Sequence, residues 1–116
     1  MASWLFDRSG HPEILFDGDK LRSSRGVVIG WISGENVYSL NGHHAGWFEG
    51  GVVYDRQNRA LAFLADAGGH LPSRPGLAGT PGVPGFSGVP GRPGFSGTPG
   101  RPGMGGWSNE DLSTYF

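Results

Sequence analysis

The 116-residue sequence predicts an all-β domain of four pseudo-symmetric 16-residue β-hairpins, followed by a non-globular Gly/Pro-rich tail. Three observations predict it. The turn residues Gly10, Gly26, Gly42 and Asn58 recur at intervals of 16. Asp7, Ser23, Ser39 and Asp55 each stand three residues before one of them. From Gly76 to Gly106 a glycine occupies every third position.

The turns set the register. Gly10, Gly26, Gly42 and Asn58 are residue types that adopt a left-handed backbone at low cost. The Asp or Ser three residues earlier carries an oxygen able to accept backbone hydrogen bonds within the turn. Asp/Ser-x-x-Gly/Asn therefore predicts a type I turn closed by a left-handed residue, a common hairpin connection. Strands flank each turn. Before it come Leu5-Phe6, Leu21-Arg22, Val37-Tyr38 and Val53-Tyr54. After it come Ile14-Leu15-Phe16, Gly30-Trp31-Ile32, Gly46-Trp47-Phe48 and Ala62-Phe63-Leu64. The middle residue of each triplet is large, while the one before it is Ile14 once and otherwise small. Alternate strand residues face opposite sides, so these positions mark two environments, the small one expected where symmetry-related strands converge.

Hairpins are joined at Gly18, Gly34, Gly50 and Asp66, again 16 apart, with Asp-Gly, Ser-Gly and Glu-Gly turn signals at the first three. The prediction is an eight-strand antiparallel meander closed around a pseudo-fourfold axis, which hides edges that a flat sheet would expose. The unit VYSLNGHHAGWFEGG, with its counterparts LFDRSGHPEILFDGD and VVYDRQNRALAFLAD, resembles the 4-fold beta flower domain over about residues 4–66. That resemblance implies four hairpin petals with aromatics packed between them, and it brings no reaction, cofactor or catalytic set. Arg22 stands where the other units carry an aromatic, its stem expected to lie on apolar surface.

Three segments follow: a β domain over 1–67, a Gly-X-Y tail over 68–106 and an aromatic C-terminal peptide over 107–116. Proline fills the third slot of six tail triplets. Strict phase over this length is collagen-like. Leu77, Phe86, Phe95 and Met104 recur every nine residues, three turns of polyproline II, so they align along one side. Three readings of the tail stand open: a three-chain collagen helix, an extended linker, or a polyproline strand packed on the β domain with Phe86 and Phe95 as anchors. Beyond it, Ser108 or Asn109 is placed to cap a short helix with acids in its first turn. Trp107, Leu112, Tyr115 and Phe116 are large apolar groups on a polar tether, and Trp107, Tyr115 and Phe116 are candidate contact residues.

Composition narrows the function. There is no cysteine, hence neither disulfide nor thiolate metal site. The net charge is −1 and Lys/Arg do not cluster, which excludes a duplex-DNA footprint. No 18-residue apolar run and no signal-peptide pattern occur, and the expected location is cytoplasmic. His11, His43, His44 and His70 do not converge in the predicted fold, so no metal is expected. Asp7 and Asp55 are turn residues, and Asp17, Asp19, Glu35 and Glu49 lie near connecting turns. Ser23 and Ser39 lack a nucleophile elbow, and no phosphate-binding glycine loop precedes a helix.

The sequence therefore leads to a non-catalytic structural or protein-interaction module without cofactor, presenting a Gly-X-Y tether to a protein partner or to further copies of itself. A trimer through the tail is one form of that association. Neither nucleic acid nor membrane is expected as a partner. The alternative is a ligand-binding module whose aromatics, Trp31, Tyr38, Trp47, Tyr54 and Phe63, line a cleft for a sugar or peptide. A weaker alternative is a small hydrolase or toxin-like effector using junction carboxylates.

Overall fold

The computed structural model describes residues 2–68 and 71–116. Eight strands follow one another: β1 (Ser3–Phe6), β2 (Pro12–Asp17), β3 (Lys20–Ser23), β4 (Val28–Ser33), β5 (Asn36–Ser39), β6 (His44–Glu49), β7 (Val52–Tyr54) and β8 (Ala60–Leu64). A short helix, α1 (Leu112–Tyr115), comes last. Every strand pairs antiparallel with its sequence neighbours, and β1 meets β8 through Leu5 opposite Leu64 and Phe6 opposite Phe63. The sheet is thus an all-β closed barrel with no free edge.

Small residues and bulges let the sheet close. The register shifts at Leu5/Phe6, Leu21/Arg22, Val37/Tyr38 and Val53/Tyr54, once in each hairpin. Such bulges bend a strand and increase its twist. The backbone is left-handed at Gly10 (φ 83), Gly26 (φ 84), Gly42 (φ 90) and Asn58 (φ 60). Asp7 Oδ1 accepts the amides of Ser9 and His11, and Asp55 Oδ1 those of Gln57 and Arg59. Ser23 Oγ accepts from Arg25 and Val27, and Ser39 Oγ from His43.

Alternation sorts the strands into an inner and an outer set. Leu5, Ile14, Leu21, Ile32, Val37, Ala45, Val53, Leu61 and Ala62, drawn from all eight strands, form one buried cluster. Phe16 and Phe48 stack at 5.1 Å against it. The alternate residues Trp4, Phe6, Leu15, Trp47, Tyr54 and Phe63 form a second cluster, and Val28, Trp31 and Tyr38 a third. What crowds the small positions is not a convergence of symmetry-related strands. A Cβ on Gly30 would lie 2.8 Å from the Tyr38 carbonyl oxygen, and one on Gly46 1.9 Å from that of Tyr54. The adjacent strand's backbone sets the limit.

The C-terminal peptide completes the inner cluster. Leu112 is 3% exposed and belongs to it, with Tyr115 and Phe116 packed alongside. Ser108 Oγ accepts the Glu110 amide, a local turn bond four residues ahead of the helix and not the helix cap expected at Ser108 or Asn109. The helix itself begins at Leu112, so Glu110 and Asp111 precede it and the expected acids are absent from its first turn.

Candidate functional site

The outer face of the barrel is the chemically unusual part. Its aromatics are buried although they point away from the inner cluster, which requires something to cover them. Residues 76–105 do so. The tail amides of Ala78, Ser87, Ser96 and Gly105 donate to the carbonyls of Gly10, Gly26, Gly42 and Asn58, at 2.9, 3.2, 2.8 and 3.3 Å. These are the four left-handed turn residues. At Gly42 the approach is close enough that a Cβ would sit 2.3 Å from the Gly94 carbonyl oxygen.

Each contact has its own side-chain chemistry. At the first, the Trp4 indole Nε1–H donates to the Pro81 carbonyl at 3.1 Å. At the second, Arg22 lies almost fully buried, bonded through Nε to Asp17 Oδ2 (2.8 Å) and through Nη1 to the carbonyls of Gly26 (2.7 Å) and Ser87 (3.0 Å). Its guanidinium covers the Phe86 ring at 4.1 Å, a cation–π contact. At the third, Phe95 stacks on Tyr38 with centroids 4.0 Å apart, and Ser96 Oγ accepts the His44 amide at 2.9 Å. At the fourth, Asn58 Nδ2 donates to the Pro102 carbonyl (2.8 Å) and its Oδ1 accepts from Arg101 Nε (2.9 Å). Arg101 also pairs with Glu49 at 2.8 Å and lies over the Tyr54 ring.

The terminal aromatics are engaged within the chain as well. Trp107 makes a parallel bridge with Ala60, tilts against Phe63 at 5.9 Å and donates Nε1–H to Ser73 Oγ. Tyr115 Oη donates to the Ala45 carbonyl (2.6 Å) and accepts the Arg56 amide (3.2 Å), and burial pushes its phenol above the usual range. Phe116 Cδ1 lies 3.5 Å from where a Gly30 Cβ would stand. All five aromatics expected to meet a partner, Phe86, Phe95, Trp107, Tyr115 and Phe116, therefore contact the barrel or each other here.

Other candidate groups are scattered. Among the described residues no three His, Asp or Glu side chains gather as a metal site would require, and His70 lies outside the described residues. His11 and His43 are exposed, while His44 is buried. Trp31 and Trp47 are 2% and 5% exposed, so neither lines an open cleft. A cavity of about 340 Å³ opens between Trp4, Phe6, Leu64 and Thr80, beside the β1–β8 seam. A second, of about 230 Å³, is lined by Asp7, Arg8, Ser108, Glu110 and Asp111. Near it Glu13 has its carboxyl pushed upward, by burial first and then by the Asp7 and Asp111 charges.

Sequence reasoning singled out the turns and the tail aromatics, yet it passed over Trp4 and His44 as groups that receive the tail. The visible signal was Arg22, a cation at a position where other units carry an aromatic. No described helix is long and apolar enough to cross a membrane. The chain belongs to the 4-fold beta flower protein family, whose model matches residues 3–116, well beyond the 4–66 over which the resemblance was legible. No curated protein and no solved structure matches it.

Proposed function

We propose that this beta flower protein is a non-catalytic structural module built from four pseudo-symmetric 16-residue hairpins and belted by its own Gly-X-Y segment. One observation carries the reading. Four tail amides nine residues apart bond to four turn carbonyls 16 residues apart, so one nine-residue step serves each hairpin. Nine residues of polyproline II span about 28 Å and make three full turns, which returns the same side of the strand to each turn. The belt also covers an outer aromatic layer that a 60–70-residue barrel would otherwise expose. Its outward side, where Val83, Phe86 and Val89 stay exposed, is then the surface offered to a protein partner.

A second reading has its own support. A Cβ added at Gly79, Gly82, Gly88, Gly91, Gly97 or Gly100 would meet nothing within 4 Å. Docking on the barrel gives no steric reason for glycine there, whereas a three-chain helix requires glycine at every third position. The strict phase thus favours self-association through the tail.

Light scattering on the full chain across a wide concentration range separates the two. A monomer at every concentration is expected from the belt, and a trimer would overturn it. Gly88→Ala sharpens the test. On the belt it is neutral or stabilising by up to about 1 kcal/mol, because it restricts only the unfolded chain. In a triple helix the same substitution is strongly disruptive.

A further inference from the structure

His44 is the one buried histidine among the described residues, 8% exposed, and it sits directly beneath the third contact of the belt. Its ring is wedged edge-on between Tyr38 (5.6 Å) and Trp47 (4.9 Å), and Tyr38 carries the Phe95 ring on its other side. Nε2 faces Asn36 Oδ1 at 3.1 Å, which makes Nε2 the protonated nitrogen and Nδ1 a bare acceptor. Nδ1 is buried without a hydrogen-bond partner. The charge that acts on the ring is cationic: Arg56, whose Nε donates to the His44 carbonyl at 3.3 Å; Arg92 lies over Phe95 and Arg101 over Trp47, one ring further away. Among the described residues no carboxylate is seen to act on the ring, and Glu49, at the end of the same strand, is paired with Arg101.

We propose that His44 is an acid-sensitive latch on the belt: its protonation releases the Phe95–Ser96 segment and uncovers the Tyr38 face beneath. The inference rests on the belt reading and adds its regulation. A second ring proton at Nδ1 would be buried with no acceptor, close to the Arg56 guanidinium, and the ring would escape by moving outward through the tail. Burial and then Arg56 hold the imidazolium form below the ordinary histidine range, so the docked state binds fewer protons than the open one. Docking is therefore at full strength above about pH 6.5 and weakens as pH falls through the histidine range.

The test uses the full chain and two resonances: the Ser96 amide, which donates to Gly42, and the Phe95 ring on Tyr38. Between about pH 7.5 and pH 5, Ser96 protection, corrected for intrinsic exchange, should fall by up to tenfold per pH unit, the limit for one coupled proton. The Phe95 ring shifts should move toward free values in parallel. His44→Val, which installs the residue type that Val28 supplies at the corresponding place opposite Arg22, should abolish that dependence, as should His44→Gln. Protection at pH 7.5 that does not change on acidification overturns the latch alone. Absence of protection at pH 7.5 overturns the belt itself. An acid response that persists in both variants assigns it to another group and overturns the latch.

Discussion

Gly42→Ala combined with Phe95→Ala gives a direct measure of what the belt contributes. At Gly42 an alanine meets two costs. Its backbone must hold φ 90, roughly 1–2 kcal/mol for a residue with a Cβ, and that Cβ collides with the Gly94 carbonyl. The collision displaces the third contact, with a Ser96 hydrogen bond worth about 1 kcal/mol and a Phe95–Tyr38 ring pair worth about 1 kcal/mol. The single variant should therefore lose about 3–4 kcal/mol. Phe95→Ala removes the ring pair and some apolar burial, about 1–2 kcal/mol. Because both changes remove the same contact, the double variant should lose about 1 kcal/mol or more less than the sum, while the φ cost cancels across the cycle. Urea unfolding of the four proteins measures this coupling. Additivity within about 0.3–0.5 kcal/mol would refute the reasoning, since it would mean that the tail and the turn do not act together.

Three further outcomes follow from the same geometry. Arg22→Met leaves Asp17 with only Lys20 at 3.9 Å and removes two bonds to carbonyls, so a loss of about 2–4 kcal/mol is expected in thermal denaturation. Arg22→Lys should fall between, as it keeps the charge but not the flat face over Phe86. Leu112→Ala should cost about 2–4 kcal/mol by urea midpoint, and a value under about 0.5 would show that the helix does not fill the barrel. Glu13→Gln should raise the urea midpoint at pH 7. A raised carboxyl means that the folded state binds more protons than the unfolded one, so the ionised group opposes folding at neutral pH. That gain should fade as pH drops toward the ordinary glutamate value from above and be gone below about 4.3.

The all-β class, the strand order and the closure were legible because their causes are local. A hairpin turn needs a left-handed residue and an oxygen to bond its amides, and both leave a mark at fixed spacing, as at Asp7 and Gly10. Barrel closure follows once eight short strands must hide two edges. The tail was harder to read for a physical reason. A polyproline strand has no internal hydrogen bonds, so its conformation leaves open what its amides bond to. The nine-residue recurrence of Leu77, Phe86, Phe95 and Met104 was visible, and each of these residues immediately precedes an amide that bonds a turn. Four recurrences in the tail match four turns in the barrel, and that equality of counts is the sequence's mark of docking. The fate of Trp107, Tyr115 and Phe116 was not legible, because an apolar terminus looks the same whether it meets a partner or its own core.

Packing and hydrogen bonds to the inner wall keep that terminus close. Gly30, Gly46 and Ala62 stand where Ile14 supplies a large side chain, and at Gly30 and Gly46 the neighbouring strand's carbonyl leaves no room for even a Cβ. Leu112 joins the inner cluster from the C-terminal peptide, Phe116 packs beside it near Gly30, and Tyr115 ties the backbone of Ala45 to that of Arg56. The belt determines where this peptide starts. Gly105 and Gly106 bond Asn58 and Ala60, and Ser108 bonds Ala60 again, so the chain reaches the barrel mouth already fixed beside β8. Ser108 Oγ then donates to buried Asp55, the carboxylate that organises the fourth turn. Turn, belt and terminal helix are consequently coupled at one corner of the molecule, and loosening any of them weakens the packing of the inner core as well as the cover on the outer face.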